Sequence, residues 1–270
     1  MLTIAFCTVA TTTPGWADLP LMVEDLITPE KSLRLELGVS YTNLNRDYGY
    51  ERHNRDGLFS QLGIRYGVLP GTELYGKLMG GGSQLRRRVL DTTSNSGWQL
   101  RGHSVKLGIN RRFSPDTDTP ALLGFLEVLA VENVSESGAP KIVHAKTWRA
   151  GLTTYRSIDP VVLSLTAGYR YAGPRRIPEQ GTVDPSDHLF LAPSLSFAIN
   201  DAISVSGGLA FSLQGKSTEA GSLPMTQTGL TLGISHAISQ RLTMHTAVYT
   251  DISGGGGSQV NAHFTYDLME

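Results

Sequence analysis

The chain has 270 residues, 23 Lys plus Arg against 24 Asp plus Glu, and a hydrophobic content of 40%. Balanced charge gives no footing for nucleic acid, and the absence of any run of about eighteen apolar residues excludes a spanning helix. A mean hydropathy of −0.11 with 30 glycines is compatible with a membrane barrel, whose strands are apolar only at every second position.

Residues 1–17 read as the remnant of an export signal. An apolar stretch from Leu2 to Ala10 precedes small residues, and Gly15-Trp16-Ala17 resembles a cleavage site before Asp18, although no basic n-region is present. The competing reading is a buried apolar strand. Cys7 is the single cysteine and falls in this segment, behind a Phe6 too large for a lipoprotein signal. The mature chain is therefore expected to carry no disulfide, thiolate metal site or cysteine nucleophile. Residues 18–31, DLPLMVEDLITPEK, are not strand-like. Leu21, Met22, Leu26 and Ile27 gather on one side of a short helix, which predicts a periplasmic lead-in or plug.

Period-two alternation, which sends successive side chains to opposite faces, begins at 32–42. There Leu33, Leu35, Leu37, Val39 and Tyr41 share a face. The pattern recurs at 58–68, 72–82 and 98–113. A fifth segment, 121–132, is apolar on both faces, so its phase is not readable. Alternation resumes at 145–156, then at 161–173, the stretch VVLSLTAGYRYAG, and at 187–199 and 203–213. It closes at 230–234, 242–252 and 260–268, which makes twelve strands.

Long and short connections alternate strictly along the chain. The long ones are 43–57, 82–97, 133–144, 173–186, 214–225 and 253–258. The short ones are 69–71, 114–120, 157–160, 200–201 and 239–240; Pro, Gly, Asn and Asp sit in the first four, as tight turns require, and Ser239-Gln240 makes the fifth. An even number of strands of about ten residues, with long loops on one side and tight turns on the other, is the plan of an outer-membrane barrel. The predicted fold is all-β: a 12-stranded antiparallel transmembrane β-barrel over 32–270. Long loops face outward from the cell, and both termini lie on the periplasmic side. A soluble sandwich is the rival.

In such a barrel the apolar face meets lipid. Tyr41, Tyr66, Trp148, Tyr169, Tyr171, Phe197 and Tyr266, with Phe211, are expected to form aromatic girdles. The opposite face lines a lumen with Arg34, Glu36, Arg65, Lys77, Lys106, Arg149, Arg170, His263 and Asp267. Gln61, Asn110, Thr166, Thr231, Ser235 and His245 share that phase. Six basic and two acidic side chains predict a mild preference for anions. A second role stands beside it on equal terms: the basic groups pair with Glu36 or Asp267 and brace the wall.

The stretches LRLELGVSYTN (33–43), LGIRYGVLPGTELYGKL (62–78) and LGISHAISQRLTMHTAVYTD (232–251) carry a family resemblance. The chain resembles the outer-membrane transporter family grouped with meta-pathway phenol-degradation proteins, and the barrel of Fap-type amyloid-secretion channels. The resemblance implies a non-enzymatic transporter, and it transfers no catalytic residue. The closing VNAHFTYDL resembles the signal read by the barrel-assembly machinery, though Leu268-Met269-Glu270 stands where a terminal Phe is commoner.

No P-loop or dinucleotide fingerprint occurs, and no cofactor is predicted. The run SGGGGSQ (253–259) is a loop; it also looks like an engineered linker, and a natural glycine loop is the alternative. The seven histidines form no close ligand pair in sequence, so no metal is predicted. Ser235 and His236 are adjacent on a strand and face opposite ways, while Ser186 and His188 begin a strand, where a surface role is expected. Arg86-Arg87-Arg88 and Arg175-Arg176 fall in long loops; contact with lipopolysaccharide phosphates competes there with plain solvated charge, which is preferred. The functional expectation is a passive outer-membrane channel or export pore and not an enzyme. Its partners are lipid and lipopolysaccharide, the barrel-assembly machinery, and an exported or imported solute or polypeptide, with no nucleic acid. The alternatives are an occluded barrel whose loops bind a partner, and a lipid-modifying barrel.

Overall fold

The computed structural model describes residues 27–47, 51–89, 92–133, 142–177, 181–215, 225–253 and 257–269. The expected signal remnant, Cys7 and residues 18–26 of the lead-in lie outside the described residues. The strands are β1 (Leu33–Asp47), β2 (Glu51–Leu69), β3 (Thr72–Val89), β4 (Thr92–Ser114), β5 (Ala121–Asn133), β6 (Ile142–Ile158) and β7 (Val161–Ala172). Then come β8 (Arg175–Ile177), β9 (Gly181–Val183), β10 (His188–Ala198), β11 (Ile203–Gln214), β12 (Met225–Ser239), β13 (Leu242–Asp251) and β14 (Gly257–Met269).

Twelve of these strands close into one antiparallel barrel, each hydrogen-bonded to its chain neighbour, with β14 returning to β1. Closure leaves no unpaired edge, which is the condition for backbone to cross a bilayer as sheet. The β8–β9 hairpin is separate from the wall and sits between β7 and β10. The tight turns and both barrel termini share one rim. At that rim Gly71 adopts φ 69°, a left-handed conformation that only glycine takes without steric cost, and this closes the β2–β3 turn.

The distribution of polarity is inverted relative to a water-soluble fold. Leu62 on the outer face is 54% exposed, whereas Arg34 on the inner face is 6% exposed. The fifth strand's phase is settled by pairing: Leu123 and Glu127 are buried inward, and Leu126 faces out. Sequence could not read it because the inner face is itself apolar near the turn rim. There Ala121, Leu123 and Tyr155 form a small core on which Ile27 and Val162 pack.

Two of the segments expected as long loops are mostly strand. Residues 43–57 belong largely to β1 and β2, still paired at Asp47↔Arg52, and residues 82–97 to β3 and β4, paired at Val89↔Thr92. Above the apolar band both faces of a strand meet water. The hydropathy alternation disappears there while the backbone ladder continues. In the same way β12 begins at Met225, ahead of the expected 230, and residues 173–186 hold the β8–β9 hairpin.

Candidate functional site

The inner wall is where chemistry collects. All nine side chains expected to line the lumen have inward phase, and most are tied to one another. Arg34 Nε donates to Asp267 Oδ1 at 2.6 Å. Arg65 reaches both Glu36 and Glu73, the latter at 3.1 Å, and Lys77 Nζ lies 2.9 Å from Glu36. Lys106 and Arg149 share Glu127, at 3.1 and 3.2 Å. Arg170 lies opposite Arg149 on β7, and His263 stacks on His245 with ring centroids 4.5 Å apart.

Sequence reasoning missed the acids that organise this belt. Glu73 is 0% exposed and accepts hydrogen bonds from the Thr28 amide and hydroxyl, from Arg65 and from Asn110 Nδ2 (2.6 Å). Its phase with Lys77 carried the signal. Glu127 was hidden in the strand whose phase could not be read. With both included, Arg34, Arg65, Lys77, Lys106, Arg149 and Arg170 stand against Glu36, Glu73, Glu127 and Asp267, a surplus of two basic groups.

The other half of the wall is built differently. Strands β10–β13 contain no Arg, Lys or Glu at all, and their inward positions are chiefly Ser, Thr, Gly and Ala. Ser204, Ser235 and His245 form a cross-strand row here, and the two hydroxyls and the His245 Nδ1 are buried without a hydrogen-bond partner among the described residues. His245 and His263 are thus brought together although they are far apart in sequence, yet no group of three His, Cys, Asp or Glu suited to a metal occurs among the described residues. Ser235 points inward and His236 outward, as adjacent strand residues must.

Inward aromatic rings sit over glycines of the neighbouring strand. Phe59 covers Gly81, Tyr75 covers Gly108, Phe125 covers Gly151 and Phe190 covers Gly168; a Cβ at any of these four glycines would fall within 2.5 Å of the ring. The rings therefore occupy wall hollows instead of bore.

The expected girdle residues all sit on the outer face. Tyr66, Phe197 and Tyr266 lie toward the turn rim, and Tyr41, Trp148, Tyr169 and Tyr171 toward the opposite rim. Several have tethered polar tips: Tyr41 Oη donates to Asp56 Oδ1 (2.7 Å), Trp148 Nε1 to the Ala145 carbonyl (3.0 Å), and Tyr169 Oη to Asp187. Such rings, apolar in body and polar at the end, suit a lipid–water boundary. Of the loop arginines, Arg86 is anchored to Asp56 at 3.0 Å. Arg175 is not solvated loop charge: it is buried and donates to Glu132 at 3.2 Å, because the β8–β9 hairpin turns it back against the wall.

At the turn rim, residues 27–31 run across the mouth. Gly67 exchanges hydrogen bonds with Lys31 and Ser32, and a Cβ at Gly67 would come within 1.8 Å of the Pro29 carbonyl oxygen. Only glycine permits that approach.

No family model matches the chain, and no curated protein matches it. Solved structures do. An outer-membrane channel of Pseudomonas putida F1 superposes with TM-score 0.66 at 8% identity, over 89% of this chain and 96% of that one. The translocator domain of the autotransporter NalP from Neisseria meningitidis gives 0.60 at 13% identity, over 90% and 91%. The KdgM porin gives 0.51 at 8% identity, over 86% and 99%. What these likenesses establish is the fold: a 12-stranded β-barrel of the outer-membrane kind.

Proposed function

We propose that this protein is a passive channel of a bacterial outer membrane, with tight turns and termini in the periplasm and a lumen that mildly favours anions. The observation that carries the reading is the inverted polarity of a closed barrel: an apolar outer band with tethered aromatic tips, and a belt of charged groups within. Lipid and lipopolysaccharide surround it, the barrel-assembly machinery inserts it, and a small solute is the cargo. The surplus of two basic groups in the belt supports the anion preference, while the shared carboxylates support a bracing role for the rest.

A specific contact favours a narrowed mouth as well. Thr28 is buried against Glu73, bonded at 2.8 Å through its amide and 2.7 Å through its hydroxyl, and this seats residues 27–31 inside the periplasmic rim. The lead-in then acts as a partial plug. Planar-bilayer conductance of the refolded chain in a salt gradient tests both readings. Discrete steps with an anion-directed reversal potential are expected, and larger steps after deletion of residues 18–29. A barrel that inserts without conducting, before and after the deletion, overturns the channel. Unchanged steps after deletion overturn the plug.

A further inference from the structure

Arg175 is 7% exposed, and only its Nη1 is engaged, by Glu132. Its Nε and Nη2 are buried with no hydrogen-bond partner among the described residues. These two nitrogens are not scattered donors. They form one edge of the guanidinium fork, with parallel N–H groups spaced to meet the two oxygens of a single carboxylate. Buried donors without acceptors are rare because leaving them unmade is costly, so a vacant edge of this kind asks for an acceptor.

The surroundings supply more positive charge than the described acids balance. Lys106 and Arg149 share Glu127, and Arg175 takes Glu132. Arg170, half-buried on β7, makes no ion pair or hydrogen bond among the described residues, yet lies within electrostatic reach of Arg149, Arg175 and Glu132. Arg149 and Arg170 are directly opposed across β6 and β7, and His188 follows on β10. Like charges at opposed positions destabilise a sheet unless an anion lies between or above them. One residue pair nearer the turn rim, Phe125 and Phe190 fill the hollows over Gly151 and Gly168, and the Arg149 guanidinium lies 4.4 Å from the Phe190 centroid and 5.3 Å from that of Phe125. The Arg149 guanidinium is therefore stacked on both rings.

We propose that this wall of β5–β7 and β10, with Arg175 from the β8–β9 hairpin, binds an organic carboxylate whose planar body stacks on the Arg149 guanidinium beside Phe190 and Phe125. The carboxylate takes the vacant edge of Arg175, Arg170 and Arg149 neutralise its charge, and the planar guanidinium stacked on the rings, whose face an inorganic anion does not use, selects for the body. The site deepens the anion-favouring lumen proposed above and rests on that reading for the ligand's route of entry.

The test is calorimetric titration of the refolded, detergent-solubilised full chain with benzoate, beside benzyl alcohol as the neutral analogue, with bilayer conductance measured on the same preparations. Gel mobility with and without heating reports whether each variant is folded. Benzoate is expected to bind and benzyl alcohol not to. Arg175→Met and Arg175→Lys are each expected to weaken benzoate at least tenfold, because lysine keeps the charge but not the fork. Arg170→Met, which leaves Glu132 paired, is expected to weaken it several-fold and decides between site and no site if the Arg175 variants do not fold. A conducting wild-type barrel that gives no heat with benzoate overturns the site and leaves the channel standing. Equal binding in the folded Arg175 and Arg170 variants overturns it too. Benzoate binding by a barrel that does not conduct upholds the site and removes the channel reading instead.

Discussion

Strands β1–β6 and strands β10–β13 share an apolar outer face, yet they build the inner wall from different chemistry. The first group holds the longest strands, β4 with 23 residues and β2 with 19, and its inner face carries a lattice of shared carboxylates. The second runs from 10 residues in β13 to 15 in β12, and its inner face is chiefly hydroxyls, glycine and alanine. A spanning strand needs only about 9–11 residues, so the short half is close to the minimum and the long half rises well past the bilayer. Strands β10–β13 complete the closed wall without a single Arg, Lys or Glu. The ion pairs of the other half do something additional: they fix where charge stands in the lumen.

Substitutions in the two halves should therefore behave differently. The largest effect is expected at Glu73, where Glu73→Ala strips a fully buried carboxylate from Arg65, Asn110 and Thr28 at once. Breaking a buried pair from one side costs about 3–5 kcal/mol, so the urea midpoint of vesicle-embedded protein should fall markedly; an unchanged midpoint would refute the idea that this acid organises the wall. Glu127→Gln comes next. It keeps the shape but leaves Lys106 and Arg149 without their shared anion, at a cost of about 1–3 kcal/mol, and the reversal potential should move further toward anions. The smallest effect belongs to the other half. Ser235→Ala removes a buried hydroxyl that has no partner, and stability should stay within about 0.5 kcal/mol or rise. A large loss there would show that the hydroxyl row is bonded through water.

The twelve-stranded plan was legible because lipid and lumen differ so sharply that every second residue reports its side. It failed where that contrast vanishes. Residues 43–57 and 82–97 have water on both faces, so their ladder left no trace in hydropathy. Residues 121–132 have apolar groups on both faces, because Leu123 packs beneath Ile27 at the mouth. Glu127 was lost with that strand's phase, although it is the acid that Lys106 and Arg149 share. Arg175 looks solvated in sequence for a related reason: its neighbours are those of a loop, and only the return of the β8–β9 hairpin to Glu132 buries it. The row of Ser204, Ser235, His245 and His263 depends wholly on cross-strand register, which no single stretch of sequence contains.

The aromatic rings seated over glycines bear on how such a wall is assembled. At Phe59–Gly81, Tyr75–Gly108, Phe125–Gly151 and Phe190–Gly168 the ring and the glycine are direct cross-strand partners. If one strand slid by two residues, its side chains would keep their faces and hydropathy would not object. The ring, however, would then collide with a side chain where it had met a hollow. Each such pair acts as a key cut for one alignment, and keys at four seams check the zippering of sheet where pattern alone cannot.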